Sequence, residues 1–151
     1  MTTIIRTHSD DKDFIELVQY LDAYLAEVDG KDHAFYAQFN KTDKIKQVVL
    51  AYENDMAMGC GAIKQYDDHT MEVKRMYTLT QNRGKGIASS ILQELENWAK
   101  ELHYSRSILE TGKKQTEAIS LYKKSGYSII PNYGQYVGIE NSVCFEKALN
   151  S

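Results

Sequence analysis

The chain of 151 residues has one proline, two cysteines and four histidines. Each scarcity excludes something. With Pro131 alone, and no repeat or Gly/Ser-rich tract, nothing marks a linker, so residues 1–151 are expected to form a single domain. Cys60 and Cys144 lie far apart without a CxxC or His partner spacing, which removes a disulfide framework and a zinc site. No metal and a reduced, cytoplasmic setting are the expectations. His8, His33, His69 and His103 share no spacing. No run of about 18 apolar residues exists, so no membrane partner is expected. The opening MTTIIRTHSDDKD lacks an apolar h-region, and no signal peptide is expected. A formal net charge of −3 argues against a nucleic-acid partner. The phosphate-binding pattern GxxxxGK[ST] is absent.

What is present has the make-up of a globular domain: 42% apolar and 26% charged residues. At this length about 68–70% of the unfolded surface is buried on folding, enough for a core without staples. Tyrosine is abundant, with 11 copies. Its apolar ring and polar tip suit both packing and pocket walls.

Residues 2–7 alternate and read as a strand. Ser9 or Asp10 is the expected cap of a helix whose stripe is Phe14, Leu17, Val18, Leu21, Leu25 and Val28, stopped at Asp29-Gly30. A second short helix is expected over 32–39, with 40–43 as its exit loop. Residues 45–53 and 56–65, joined by Asn54-Asp55, read as a hairpin. MEVKRMYTL (71–79) reads as a fourth strand, with Met71, Val73 and Arg75 alternating against Glu72, Lys74 and Met76. The spacing of Ile87, Ile91, Leu95, Trp98 and Leu102 predicts a long helix. A strand over 105–110, a helix over 114–125, a strand over 127–130, a loop over 131–138 and a strand over 142–148 complete the chain. The order β-α-α-β-β-β-α-β-α-β-β predicts a mixed α/β fold. It has a central, mostly antiparallel sheet of about seven strands and about four flanking helices.

The stretch LTQNRGKGIA (79–88) carries chemistry. A strand ends, a glycine loop turns, and a helix begins. The first N–H groups of a helix have no intrahelical partner, and the macrodipole places about half a positive charge there. Gly84 and Gly86 let an oxygen-rich ligand approach the backbone, and Arg83 and Lys85 add cations. The expectation is an anion site suited to pyrophosphate. The dinucleotide pattern GxGxxG fails, because Ser89 stands where the third glycine belongs.

Gln81-x-x-Gly84-x-Gly86 before an amphipathic helix resembles the acetyl-CoA signature [RQ]-x-x-G-x-[GA] of the GNAT superfamily of N-acetyltransferases. Downstream, Ala118-Ile119-Ser120-Leu121-Tyr122, followed by Gly126-Tyr127, is similar to the family's second signature. The resemblance spans nearly the whole chain. It is densest from Glu72 to Tyr127 and weakest over 10–42, where such enzymes build acceptor pockets. One departure is Gln115, which stands where many members have asparagine.

The resemblance implies a strand 4 splayed from strand 5 by a bulge, with acetyl-CoA wedged in the gap. Backbone groups of Met76, Tyr77 and Thr78 would hold the pantetheine arm. Gln81, Asn82, Arg83, Gly84, Lys85, Gly86, Ile87 and Ala88 would form the phosphate loop, and Gln115 would reach the same arm. The implied activity is direct transfer of an acetyl group from acetyl-CoA to a primary amine. Tyr122 would protonate the leaving sulfur and Glu72 would take the amine's proton. Glu110 is the reserve base or an acceptor-binding charge, and Tyr133 and Tyr136 are candidate acceptor-pocket walls. Lys74 and Arg75 read as strand-face charges, one of them within reach of the CoA phosphates. Cys60 reads as a small strand residue. A homodimer is the family's habit. A non-catalytic acyl-CoA-binding module on the same fold is the rival reading, and a nucleotide-dependent regulator is a third. The acceptor is not readable.

Overall fold

The computed structural model describes residues 2–38 and 45–149. Among these residues are seven strands and four α-helices: β1 (Thr2–Thr7), α1 (Lys12–Asp29), α2 (His33–Ala37), β2 (Gln47–Glu53), β3 (Met56–Asp67), β4 (Thr70–Thr78), α3 (Ile87–Glu101), β5 (Arg106–Gly112), α4 (Thr116–Lys124), β6 (Ser128–Ile130) and β7 (Ser142–Ala148). The element order is the one expected from the sequence. The expected end of the second helix at Phe39 and the exit loop over 40–43 lie outside the described residues.

The strands form one sheet in the order β1-β2-β3-β4-β5-β7-β6. Every neighbouring pair is antiparallel except β4 and β5. Both faces are covered, and β2 shows why its sequence is a continuous apolar run. Val49 and Ala51 point into the core under α3 and α4, whereas Val48 and Leu50 point into the core under α1. Side chains alternate faces along a strand, so a strand covered on both sides has no position left for a polar residue. The β2–β3 turn is tight because Asn54 and Asp55 both adopt positive φ, 52° and 64°. That conformation matches the twist of the paired strands.

Two local expectations are corrected. The cap of α1 is Asp11, not Ser9 or Asp10: its carboxylate accepts from the backbone N–H of Asp13 at 2.9 Å and Phe14 at 3.4 Å. Thr7 Oγ1 donates to the other carboxylate oxygen at 3.0 Å and holds the cap in place. The alternation expected along β4 fails after Lys74. Arg75 takes φ 60° and the β3–β4 register shifts there. A bulge of this kind inserts one residue and turns the rest of the strand over. Met76 therefore joins Met71 and Val73 on the α3 face, and Tyr77 packs with α1. The Cys60 thiol donates to the bulge carbonyl, Arg75 O, at 3.3 Å. Cys60 is buried and its thiol is pushed up to about 12 by desolvation, so it is the inert strand residue that was expected.

Candidate active site

The pairing of β4 with β5 stops short of the bulge. The two strands are in register only from Thr70–Arg106 to Glu72–Ile108. Beyond Glu72 the edge of β4 that faces β5 has no ladder partner, and its N–H and C=O groups need one. A groove of about 730 Å³ opens where the strands part. Its walls are Met76, Tyr77 and Thr78 of β4, the loop and first turn of α3, and Gln115 to Tyr122 at α4, with Leu21 and Tyr24 of α1 at one side.

The loop end of this groove is built for an anion. Gly84 and Gly86 have φ of 83° and 79°, and a β-carbon on either would meet no atom within 4 Å. The glycines are there for backbone conformation, and the space beside them is open. Gly86 caps α3 without any side-chain hydrogen bond. The first N–H groups of α3 consequently have neither an intrahelical acceptor nor a cap. Thr78 Oγ1 and Asn82 Oδ1 are buried with no partner among the described residues, and both residues line the groove. These features fit a ligand that carries phosphates and amides.

The loop residues divide into two groups. Asn82, Arg83, Gly84, Gly86, Ile87 and Ala88 line the groove, whereas Gln81 and Lys85 do not and are exposed. Arg83 is less available as a phosphate cation than its sequence position suggests. Its Nε donates to Thr78 O at 3.1 Å, and its guanidinium lies over the rings of Tyr24 at 5.3 Å and Tyr77 at 5.7 Å. It braces the end of β4 against α1. The Asn82 N–H is engaged with Leu79 O, and that of Arg83 more weakly with Thr80 O, so the free donors begin after Arg83.

A second, smaller pocket of about 90 Å³ lies deeper, against β4, β5 and the first two helices. Leu21, Met76, Gln115 and Tyr122 line both cavities. The groove and the pocket thus meet at the Tyr122 ring. Tyr122 sits on α4 within the core, packed against Tyr127 and Phe145. Burial, reinforced by the charge of Glu110, raises its phenol well above the ordinary tyrosine value, so it holds its proton.

Three carboxylates line the small pocket: Asp29, Glu72 and Glu110. Burial pushes the Glu110 carboxyl up to about 7; the Ser142 hydrogen bond and Lys74 oppose the rise, and Asp29 and Glu72 add to it. Burial also raises Asp29. Glu72 is held on both sides: Tyr133 Oη donates to Oε2 at 2.6 Å and Lys74 Nζ lies 3.4 Å from Oε1. Of the two tyrosines expected as walls, Tyr136 lines the pocket, whereas Tyr133 stands behind Glu72 as its donor. Lys74 and Arg75 line the small pocket and not the groove. Arg75 is buried on the small-pocket side and pairs with Asp22 of α1, while Lys74 pairs with Glu72.

Sequence reasoning missed Asp29, Tyr36 and Ser142. Asp29 looked like a helix stop, Tyr36 like one more aromatic of a short helix, and Ser142 carried no signal at all.

Residues 12–127 match the model of the acetyltransferase (GNAT) family. The chain belongs to this family. The IAA acetyltransferase of Azospirillum brasilense is 31% identical over 150 residues, covering 97% of each chain. N-acetyltransferase YsnE of Bacillus subtilis, itself uncharacterized, is 35% identical over 101 residues, 66% of this chain and 67% of its own. Among solved structures, an acyl-CoA N-acyltransferase candidate from Klebsiella pneumoniae superposes with a TM-score of 0.84 at 28% identity, covering 99% of both chains. A GNAT acetyltransferase from Elizabethkingia anophelis, solved with acetyl-CoA bound, shares the fold with a TM-score of 0.68 at 19% identity, covering 98% of each chain. The splayed strands and open helix start are this acetyltransferase's version of the family fold.

Proposed function

We propose that this acetyltransferase moves an acetyl group from acetyl-CoA to a primary amine by direct transfer. One observation carries the reading: a long groove with an uncapped helix N-terminus meets a small acidic pocket at a single buried tyrosine, Tyr122. The acetyl-CoA and CoA found in related structures from Elizabethkingia anophelis, Salmonella typhimurium and Thermoplasma acidophilum support the donor.

Acetyl-CoA supplies an acyl group already activated as a thioester. The residues supply placement and proton traffic. The groove holds the donor along β4, with the free N–H groups after Arg83 as its anion contacts. The small pocket receives the amine among carboxylates. Glu110 takes the proton that the amine nitrogen loses as the C–N bond forms. Its carboxyl, at about 7, is poised for that exchange near neutral pH. Tyr122 gives its proton to the sulfur as the C–S bond breaks, and recovers one when Glu110 is emptied. The books close on one amide and one thiol. Glu72, with Tyr133 on one oxygen and Lys74 near the other, serves better as a fixed charge of the pocket wall than as the base.

The test is release of CoA thiol from acetyl-CoA across a panel of primary amines. Turnover with any amine above the hydrolytic background supports transfer. Tight CoA binding with no turnover for any amine would favour a non-catalytic acyl-CoA-binding module.

A further inference from the structure

Glu110 does not stand alone in the small pocket. Ser142 Oγ donates to Glu110 Oε2 at 2.7 Å, and the Tyr36 hydroxyl lies 2.8 Å from the same Ser142 Oγ. The three residues come from β5, β7 and α2, and both Ser142 and Tyr36 are buried. Register explains the reach. Ser142 pairs with Gly112 and Glu110 with Cys144, so Ser142 and Glu110 are diagonal neighbours across β5 and β7. Tyr36 is brought there by its own small core, where its ring packs with Tyr136 and Cys144.

Proton counting fixes the direction of the chain. A serine hydroxyl has one proton to give. An ionised Glu110 can only accept, so Ser142 gives its proton to Glu110 and Tyr36 must donate to Ser142. Once Glu110 holds the amine's proton, it becomes a donor and the chain can run the other way, from Glu110 through Ser142 to Tyr36.

Resting on Glu110 as the base, we infer that Ser142 and Tyr36 are positioning residues that hold Glu110 ready to accept a proton and couple α2 to the reaction. Desolvation disfavours the charged carboxylate, and a donor committed to it opposes that effect. The other charged and titratable groups facing Glu110 cannot substitute. Asp29 of α1 and Glu72 of β4 repel its charge, and Lys74, a cation that favours it, also lies 3.4 Å from Glu72. Tyr122 of α4 and Tyr136 of the loop after β6 feel the Glu110 charge but make no hydrogen bond to it. Ser142 is the hydroxyl that does.

Carbon-13 carboxyl titration of the full chain, labelled at glutamate, tests this without any acceptor. The Glu110 resonance is the one lost in Glu110→Gln. In Ser142→Ala the Glu110 midpoint should rise by about one pH unit, the size expected for removing one charge-assisted donor. Tyr36→Phe should raise it by less, and Ser142→Thr, which restores a hydroxyl, should return it towards wild type. The acid limb of kcat/KM, measured with the best amine of the thiol-release panel, should move by the same amount. Activity of Ser142→Ala should approach wild type above the shifted limb. A structural role alone would lower activity at every pH and leave the limb in place. If the limb disappears in Glu110→Gln yet stays put in Ser142→Ala, this inference fails and Glu110 remains the base. If Glu110→Gln keeps the wild-type limb, the base assignment fails, and the catalytic role of the chain falls with it.

Discussion

Tyr133 Oη donates to Glu72 Oε2 at 2.6 Å, joining the loop after β6 to the centre of the sheet. The bond has two consequences. Burial and the neighbouring carboxylate drive the Tyr133 phenol far above its ordinary value, so it remains a donor at every working pH. Glu72, with Lys74 at its other oxygen, is held in place from both sides.

The two candidate bases separate on this point. An amide at position 72 can still accept from Tyr133, so Glu72→Gln should lower kcat/KM by less than about tenfold. Glu110→Gln removes the proton acceptor and should lower it by about 10²-fold or more near pH 7, the range typical of general base catalysis. Steady-state kinetics of the two variants on one amine decides the matter. The reverse ranking would return the base role to Glu72.

The helix start makes a prediction about donor binding. Gly86 has φ 79° and open space where a β-carbon would go. Gly86→Ala should fold, at a cost of about 1 kcal/mol for the left-handed backbone. Gly86→Glu adds a negative charge at the uncapped end of α3 and should abolish CoA binding by calorimetry, while the alanine variant still binds. CoA affinity at the wild-type level in a folded Gly86→Glu protein would place the phosphates elsewhere.

Most of the fold was legible because its signals are local. Periodicity gave α1 and α3, an Asn-Asp turn gave the β2–β3 hairpin, and the glycine loop marked the start of α3. The bulge at Arg75 was not legible from alternation, because nothing in MEVKRMYTL distinguishes a strand that turns over from one that continues. The resemblance to relatives supplied it. The acceptor side was the least readable part. Asp29, Tyr36, Glu110 and Ser142 come together only because the end of α1 and the short α2 bring Asp29 and Tyr36 to the β5–β7 pair, and no spacing along the chain encodes that meeting. Arg83, on the groove wall, also takes its surroundings from distant elements. A cation next to a glycine loop looks like a phosphate ligand, but here its guanidinium lies over Tyr24 and Tyr77.

Stability should depend on pH through Glu110. Its carboxyl is raised from 4.5 to about 7, so between these values the folded chain binds more protons than the unfolded chain. Stability then falls as pH rises through that window. The whole effect of this one group is bounded at about 3.4 kcal/mol, from 1.36 kcal/mol per pH unit. Buried Asp29, also raised, acts in the same direction. Urea melts at pH 5 and pH 8 should show a loss for wild type, and Glu110→Gln should remove most of it. An equal loss in the variant would show that Glu110 is not the group responsible.

Tyr122 gives the last prediction, and it separates proton donation from packing. The ring fills the junction of both cavities and packs against Tyr127 and Phe145. Tyr122→Phe keeps that packing and removes only the hydroxyl, so the fold and acetyl-CoA affinity should change little. If the hydroxyl protonates the leaving sulfur, kcat should fall by about 10²-fold, with kcat/KM falling equally. The pH dependence identifies the step. Wild type should lose activity only below the Glu110 limb, because the raised phenol stays protonated well into alkaline pH. The Phe variant should keep that limb, since the base is untouched. A thiolate is a fair leaving group without help, so the loss should shrink for a donor whose thiol is more acidic than that of CoA. Equal losses for donors of different thiol acidity would show that the hydroxyl does not protonate the leaving sulfur. Positioning and backbone donors on β4 would then carry departure of the thiol.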